Sequence, residues 1–231
     1  MNQLDIYSKT LDYIVSLMSK VKEGRKKKIQ KGELVNTFTL WNSFSGISET
    51  VHSRILHFLL SDNPMHGQGL SFLKRFLEPI GIEVHENDEW VVTAEIGRVD
   101  IMLKRFHPHC VVIIENKSNN AVDQPNQLYR YWYENIHSCD EDCKSDYYNN
   151  HKEYRIYYLV PDPCKDISDN SLAKPSGYPE GLPQKLPIKP VILSFRNEIN
   201  NWLEACISSL PKENTPLINF LTQYKEYCKS L

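Results

Sequence analysis

Apolar residues near the start of the chain recur at helical spacing. Leu4, Tyr7, Leu11, Ile14, Val15, Met18 and Val21 fall on one side of a 3.6-residue period and predict an amphipathic helix over residues 3–21. Ile47, Val51, Ile55, Phe58 and Leu59 make a second stripe, which predicts a helix over residues 45–61, and residues 68–79 read as a short third helix ended by Pro79 and Gly81. The period then changes. Residues 90–103 and 110–115 are rich in Val and Ile, and the five residues between Lys104 and Cys110 include Pro108, so a two-stranded hairpin is expected there. Asp123, Gln124 and Pro125 signal a helix start, after which Leu128, Tyr131, Trp132 and Ile136 keep helical spacing. Residues 155–160 predict a buried strand. Seven of the chain's 13 prolines fall in residues 161–190, too many for a helix or a central strand, so a long loop is expected. Residues 191–193 can form a last strand, Ser194 can cap a helix reaching Ile207, and Pro216 can open a final helix to Cys228.

Helices and strands alternate, which is the pattern of an α/β fold. The 231 residues suffice for one full-sized domain with an appendage, divided here as 1–44, an N-terminal helix and basic segment, and 45–231. With 41% hydrophobic and 24% charged residues the chain is neither wholly disordered nor a fibre. No apolar run approaches the roughly 18 residues that span a bilayer. Asp5, Lys9 and Asp12 interrupt the first stripe, unlike a signal peptide, so a cytoplasmic setting with reduced cysteines is expected.

A net charge of −2 argues against a uniformly basic nucleic-acid coat. One local run stands out: seven Lys and Arg lie between Lys20 and Lys31. A solvated helix end and loop is the plainer reading, with phosphate contact by counterion release as its rival. His137, Cys139, Cys143 and His151 crowd like metal ligands, but a Cys-x3-Cys spacing without a second Cys pair is poor for zinc, and the acidic residues among them read as a solvated loop.

The informative stretch is RVDIMLKRFHPHCVVIIENK, residues 98–117. A hairpin that turns about its loop midpoint places Asp100 opposite Glu115. Side chains alternate along a strand, so Glu115 and Lys117 share a side, while Asn116 points away and offers its backbone carbonyl nearby. Facing carboxylates repel, whereas a divalent cation between them turns repulsion into coordination, and an all-oxygen donor set favours Mg²⁺ or Mn²⁺ over zinc. The Lys117 ammonium suits an attacking water and a negatively charged transition state. An ordinary strand-end ion pair between Glu115 and Lys117 is the competing interpretation of that string alone.

The wider arrangement carries a resemblance. ETVHSRILHFLL (49–60), RVDIML (98–103), VVIIENK (111–117) and QLYRYW (127–132) resemble the motifs of the PD-(D/E)XK nuclease superfamily, in a bacterial branch, and SFRNEINNWLEAC (194–206) is similar to that branch's C-terminal helix. The resemblance implies an α/β restriction-endonuclease-like core, a central mixed β-sheet flanked by α-helices. It implies metal-dependent hydrolysis of nucleic-acid phosphodiesters, DNA before RNA, with Mg²⁺ or Mn²⁺ as cofactor. Asp100, Glu115 and the Asn116 carbonyl would then ligate the ion, Glu49 would hold or orient its shell, Lys117 would act on the water, and Gln127 would position water or phosphate. Val99 stands where the motif has proline, which leaves the Asp100 carboxylate in place.

Other neighbours read more blandly. His52 is expected to be a satisfied interface histidine, Ser53 to hydrogen-bond Glu49, and Tyr131 and Trp132 to be core. Arg130, on the motif helix, lies near enough for a phosphate contact, and Arg98 is expected to share a strand face with Asp100. The proline-rich loop, with Asp162, Asp166, Asp169 and Glu180, is expected to fold over one edge of the core as a wall that repels phosphate, outside the metal shell. The alternative function is a nuclease-fold subunit that binds nucleic acid or protein without cleaving; intact Asp100, Glu115 and Lys117 count against it.

Overall fold

The apolar run ahead of Glu115 forms the middle of a five-stranded sheet. The computed structural model describes residues 3–32, 35–138 and 153–231. Its strands are β1 (Trp90–Ile96), β2 (Val99–Arg105), β3 (Cys110–Asn116), β4 (Tyr154–Val160) and β5 (Val191–Ser194), in the spatial order of the sequence. β1, β2 and β3 pair antiparallel; β3, β4 and β5 pair parallel. All seven residues of β3 are buried, because a parallel strand covered on both faces needs a continuous apolar run instead of alternation. Each fully buried Val or Ile there contributes on the order of 1.5–3 kcal/mol of transfer free energy.

The expected hairpin register holds, since Ile101 faces Ile114 and Arg105 faces Cys110. One expectation is corrected. Residues 90–103 form two strands and not one: Gly97 and Arg98, at φ of 63° and 65°, make a tight two-residue turn with Ile96 opposite Val99. Arg98 therefore sits in a turn and does not share a strand face with Asp100.

The helices cover both faces of the sheet. On one face α3 (Glu49–Leu60), α4 (Ser71–Leu77, continued by a 3-10 turn to Ile80), α7 (Asn200–Ser209) and α8 (Thr215–Cys228) pack together. Phe76 of α4 meets Tyr157 of β4 edge-on, and the Trp202 indole of α7 donates to the Phe72 carbonyl at 2.9 Å. The other face carries α5 (Gln127–Trp132, extended by a wider turn to His137), whose Leu128, Tyr129 and Trp132 bury against Val111, Ile113, Ile156 and Tyr158. Ser48 caps α3 three residues later than the stripe predicts, and Ser194 caps the turn leading into α7 as expected.

The proline-rich stretch differs from a plain loop. Between Pro163 and Pro175 it forms one helical turn, α6 (Asp169–Leu172), capped by Ser168, and Ala173 bridges Lys185. Ile167, Leu172, Tyr178, Leu182 and Leu186 pack onto the α5 side of the core. This is the crossover that parallel β4 and β5 require.

Contacts divide the chain into two compact units, Met1–Phe44 and Ser45–Leu231. In the first, α1 (Gln3–Gln30) runs straight through the basic segment, which corrects the expected helix end. The apolar stripe stops at Val21, but Lys, Arg, Gln and Glu are themselves strong helix formers, and Lys27 pairs with Glu23 one turn away at 2.9 Å. α2 (Thr37–Ser45) has no counterpart in the sequence reading; the Asn36 side chain caps it, accepting from the N–H groups of Phe38 and Thr39. Cys139, Cys143 and His151 of the candidate zinc cluster lie outside the described residues, while the His137 ring packs tilted against Trp132, 4.8 Å between centroids. Cys110, Cys164, Cys206 and Cys228 are free thiols. Among the described residues no helix is long and apolar enough to cross a membrane.

Candidate active site

Where β3 ends, three consecutive residues leave the strand with different tasks. Glu115 and Lys117 point to the α5 face. The Lys117 Nζ lies 2.6 Å from Glu115 Oε1, both side chains almost wholly buried, and donates to Gln127 Oε1 at 3.3 Å. The Gln127 amide in turn donates to the Tyr131 hydroxyl at 2.9 Å, one helical turn on. That hydroxyl has a single proton and gives it to the Arg98 carbonyl at 2.5 Å. Among the described residues, Glu115 Oε2 is left buried with no hydrogen-bond partner.

Asn116 points to the opposite face and ties the strand to α3. Its side-chain amide donates to the Glu49 carbonyl at 2.8 Å and to Ser53 Oγ at 3.1 Å. Ser53 donates in turn to that same backbone carbonyl, so it touches Glu49 but not its carboxylate. The Asn116 backbone N–H donates to Asp100 Oδ2 at 2.6 Å, where β2 and β3 begin to part.

Asp100 and Glu115 thus meet across the hairpin. Burial, then the Glu115 charge, push the Asp100 carboxyl up to about 8, against the opposing Asn116 N–H. Glu95, at a left-handed φ of 60° between the Ala94–Ile101 and Ile96–Val99 pairs of β1 and β2, adds to the upward push. Burial also raises Glu115, and the Lys117 ammonium partly offsets it.

The Glu49 carboxylate has a structural commitment. Its Oε1 accepts from the N–H of Asn119 at 3.1 Å and of Ala121 at 3.4 Å, and so holds the loop that leads from Lys117 to Gln127. The far side of that loop is held by the proline-rich segment. Asp123 accepts from the Tyr158 hydroxyl and from the Ser168 N–H, Asn126 N–H donates to the Asn170 carbonyl, and Lys165 donates to the Ala121 carbonyl. With Asp123 engaged in this way, α5 starts at Gln127, later than the Asp-Gln-Pro string predicts.

His52 lies at the expected interface but is satisfied on one side only, since among the described residues its buried Nε2 has no hydrogen-bond partner. Its Nδ1 lies 2.8 Å from the Tyr224 hydroxyl, it stacks on Tyr227, and burial pushes its pKa down to about 4. Tyr131, expected as core, belongs to the network as well. Its spacing of four from Gln127 was the available signal.

The donor set fits a hard divalent ion. Two carboxylates whose mutual repulsion raises one of them, and a buried carboxylate oxygen with no partner, are relieved by a cation. Among the described residues no three His, Cys, Asp or Glu side chains converge, so a carbonyl and waters would complete a shell, as Mg²⁺ commonly retains them.

Searches of curated proteins and of solved structures returned no match. A profile of the PD-(D/E)XK nuclease superfamily matches residues 35–229, a span that takes in every residue of the cluster and nearly all of the sheet and helices around it. With most of its length matched in this way, the chain belongs to the PD-(D/E)XK nuclease superfamily.

Proposed function

We propose that the protein is a metal-dependent nuclease that hydrolyses phosphodiester bonds, with DNA as its substrate. The observation that carries this reading is the Glu115 oxygen buried without a partner beside a raised Asp100 carboxyl and a buried lysine. A buried polar atom left unsatisfied costs on the order of 1–3 kcal/mol, a cost retained where a ligand supplies the missing contact.

Asp100, Glu115 and the Asn116 carbonyl would hold Mg²⁺ or Mn²⁺, and Glu49, through its grip on residues 119–121, would orient the surrounding shell. Bound there, such an ion would lower the pKa of a coordinated water and neutralise phosphoryl charge. Lys117, held between Glu115 and Gln127, places its ammonium beside the attacking oxygen and the charge that develops on phosphorus. Gln127 is fixed by Lys117 on one side and Tyr131 on the other, so its amide presents a set direction to water or phosphate. The helical run of Lys and Arg at the end of α1 offers phosphate contacts.

The test is cleavage of labelled duplex DNA, single-stranded DNA and RNA with Mg²⁺, with Mn²⁺ and with EDTA. Metal-dependent cutting of DNA that Glu115→Gln abolishes supports the reading. Binding with no cutting under any metal would instead favour the non-cleaving subunit.

A further inference from the structure

The proline-rich segment carries one cation to the candidate site. Lys165 is half-buried at the mouth of the loop between Lys117 and Gln127, with its ammonium on the Ala121 carbonyl at 2.5 Å and 5.9 Å from the centre of the Tyr158 ring. It lies within electrostatic reach of Asp123, Lys117, Glu49 and Glu115. Among the described residues it forms no ion pair, unlike Lys117, whose charge is matched by Glu115 at 2.6 Å. The nearest candidate counterion is occupied elsewhere: one oxygen of Asp123 accepts from Tyr158 and the other from Ser168. An ammonium has three N–H donors, and the Ala121 carbonyl uses one.

Two of the segment's four acids are engaged with other cations. Asp162 pairs with Arg196 at 2.8 Å, and Asp169 with Lys185 at 2.9 Å. The expected repelling wall is therefore neutralised at two of its four acids, and at the Ala121 carbonyl it presents the Lys165 ammonium.

We infer that Lys165 is a phosphate subsite of the active centre, binding a backbone phosphate of the substrate next to the one that is cut. The inference rests on the nuclease reading. The segment bearing Lys165 is packed against the core through Ile167, Leu172 and Leu186, so the cation is presented from a fixed support and little ordering is needed on binding. A phosphate there gains a charge-assisted hydrogen bond and releases a counterion.

The competing role is a brace for the 119–126 loop, and charge separates the two. Lys165→Gln keeps an N–H donor and removes the charge; Lys165→Arg keeps the charge. Binding of a fluorescein-labelled DNA duplex is measured in EDTA over a range of salt concentrations, with thermal melts of each variant. The subsite predicts that Lys165→Gln weakens binding about three- to tenfold and lowers the salt slope by about 0.9, and that Lys165→Arg restores both. A Lys165→Gln protein with the wild-type salt slope overturns the subsite while leaving the nuclease reading intact. A wild type that neither binds nucleic acid in EDTA nor cuts it with Mg²⁺ or Mn²⁺ overturns the nuclease reading and the subsite with it.

Discussion

The β2–β3 hairpin buries a charged cluster at each end, and the two clusters are built on opposite principles. At the turn end, the Arg105 guanidinium donates to Asp88 at 3.0 Å, Glu153 at 2.9 Å, and the carbonyls of Glu83 and Pro108, both at 2.9 Å. Although burial acts to raise it, hydrogen bonds from the His85 N–H and Arg105 hold the Asp88 carboxyl below its ordinary range. At the open end, Asp100 is raised and Glu115 keeps an oxygen with no partner among the described residues. Both clusters are buried, and both are anchored on β2, by Arg105 at one end and Asp100 at the other. Hydrogen-bond capacity separates them: the satisfied cluster fixes the hairpin, and the unsatisfied one is suited to take a ligand.

The sharpest way to break this comparison is to remove one cation from each end. Lys117→Ala should lower metal-dependent cleavage by about 10³-fold, equivalent to about 4 kcal/mol of transition-state stabilisation, while the fold survives. Arg105→Ala should do the reverse. It leaves two carboxylates and two carbonyls uncompensated and should cost about 3–5 kcal/mol of stability, with the folded fraction cutting normally. Kinetics and denaturant melts of both proteins check the pair. An Arg105→Ala protein that is stable but inactive would dissolve the distinction.

Asp100→Asn sharpens it through pH. The Asp100 carboxyl, ordinarily near 3.8, is about 8 in the folded chain, so the unfolded chain ionises first and native stability falls as pH rises between those values. His52 has the opposite sign. Lowered from 6.5 to about 4, it contributes stability that is complete above pH 6.5 and lost as pH falls toward 4. The two slopes offset each other in the acid range. From pH 6.5 to 8 the Asp100 loss is unopposed, about 2 kcal/mol. In EDTA the wild type should therefore melt roughly 4–8 °C lower at pH 8 than at pH 6.5, and Asp100→Asn should lose most of that difference. An unchanged difference would place the titration on other groups.

The smallest effect concerns Tyr131. Tyr131→Phe removes the hydroxyl that joins Gln127 to the Arg98 carbonyl and should cost about 1 kcal/mol of stability and about tenfold in kcat, with KM little changed. A change in KM alone would assign Gln127 to substrate binding.

The open end was legible in the sequence because hairpin register follows from loop length. Once the turn between Arg105 and Cys110 is located, the meeting of Asp100 and Glu115 follows by counting, and alternation puts Lys117 beside Glu115. The satisfied end was not legible, since Asp88 and Glu153 reach Arg105 from 17 and 48 residues away. The same holds for Lys165, whose contact with Ala121 spans 44 residues. The turn at Gly97 and Arg98 was hidden for a different reason: Val and Ile continue on both sides of it, and the dipeptide is not one of the strongest turn signals. α2 escaped because Thr, Phe and Trp favour strands when read by propensity alone, and only the Asn36 cap marks its start.

The sheet's connectivity also sets a sequence of assembly. β1, β2 and β3 are neighbours in the chain and pair through short turns, so their closure costs little entropy, whereas β4 and β5 each wait for a long parallel crossover. Asp100 and Glu115 thus come face to face in the early meander, but Gln127 and Lys165 arrive only when the crossovers dock. Pulse-labelled hydrogen exchange during refolding should protect the amides of residues 101–105 and 110–114 before those of residues 156–159. A chain caught between these stages would hold its paired acids without the groups that surround them, so cutting activity should appear last, after most of the sheet is protected.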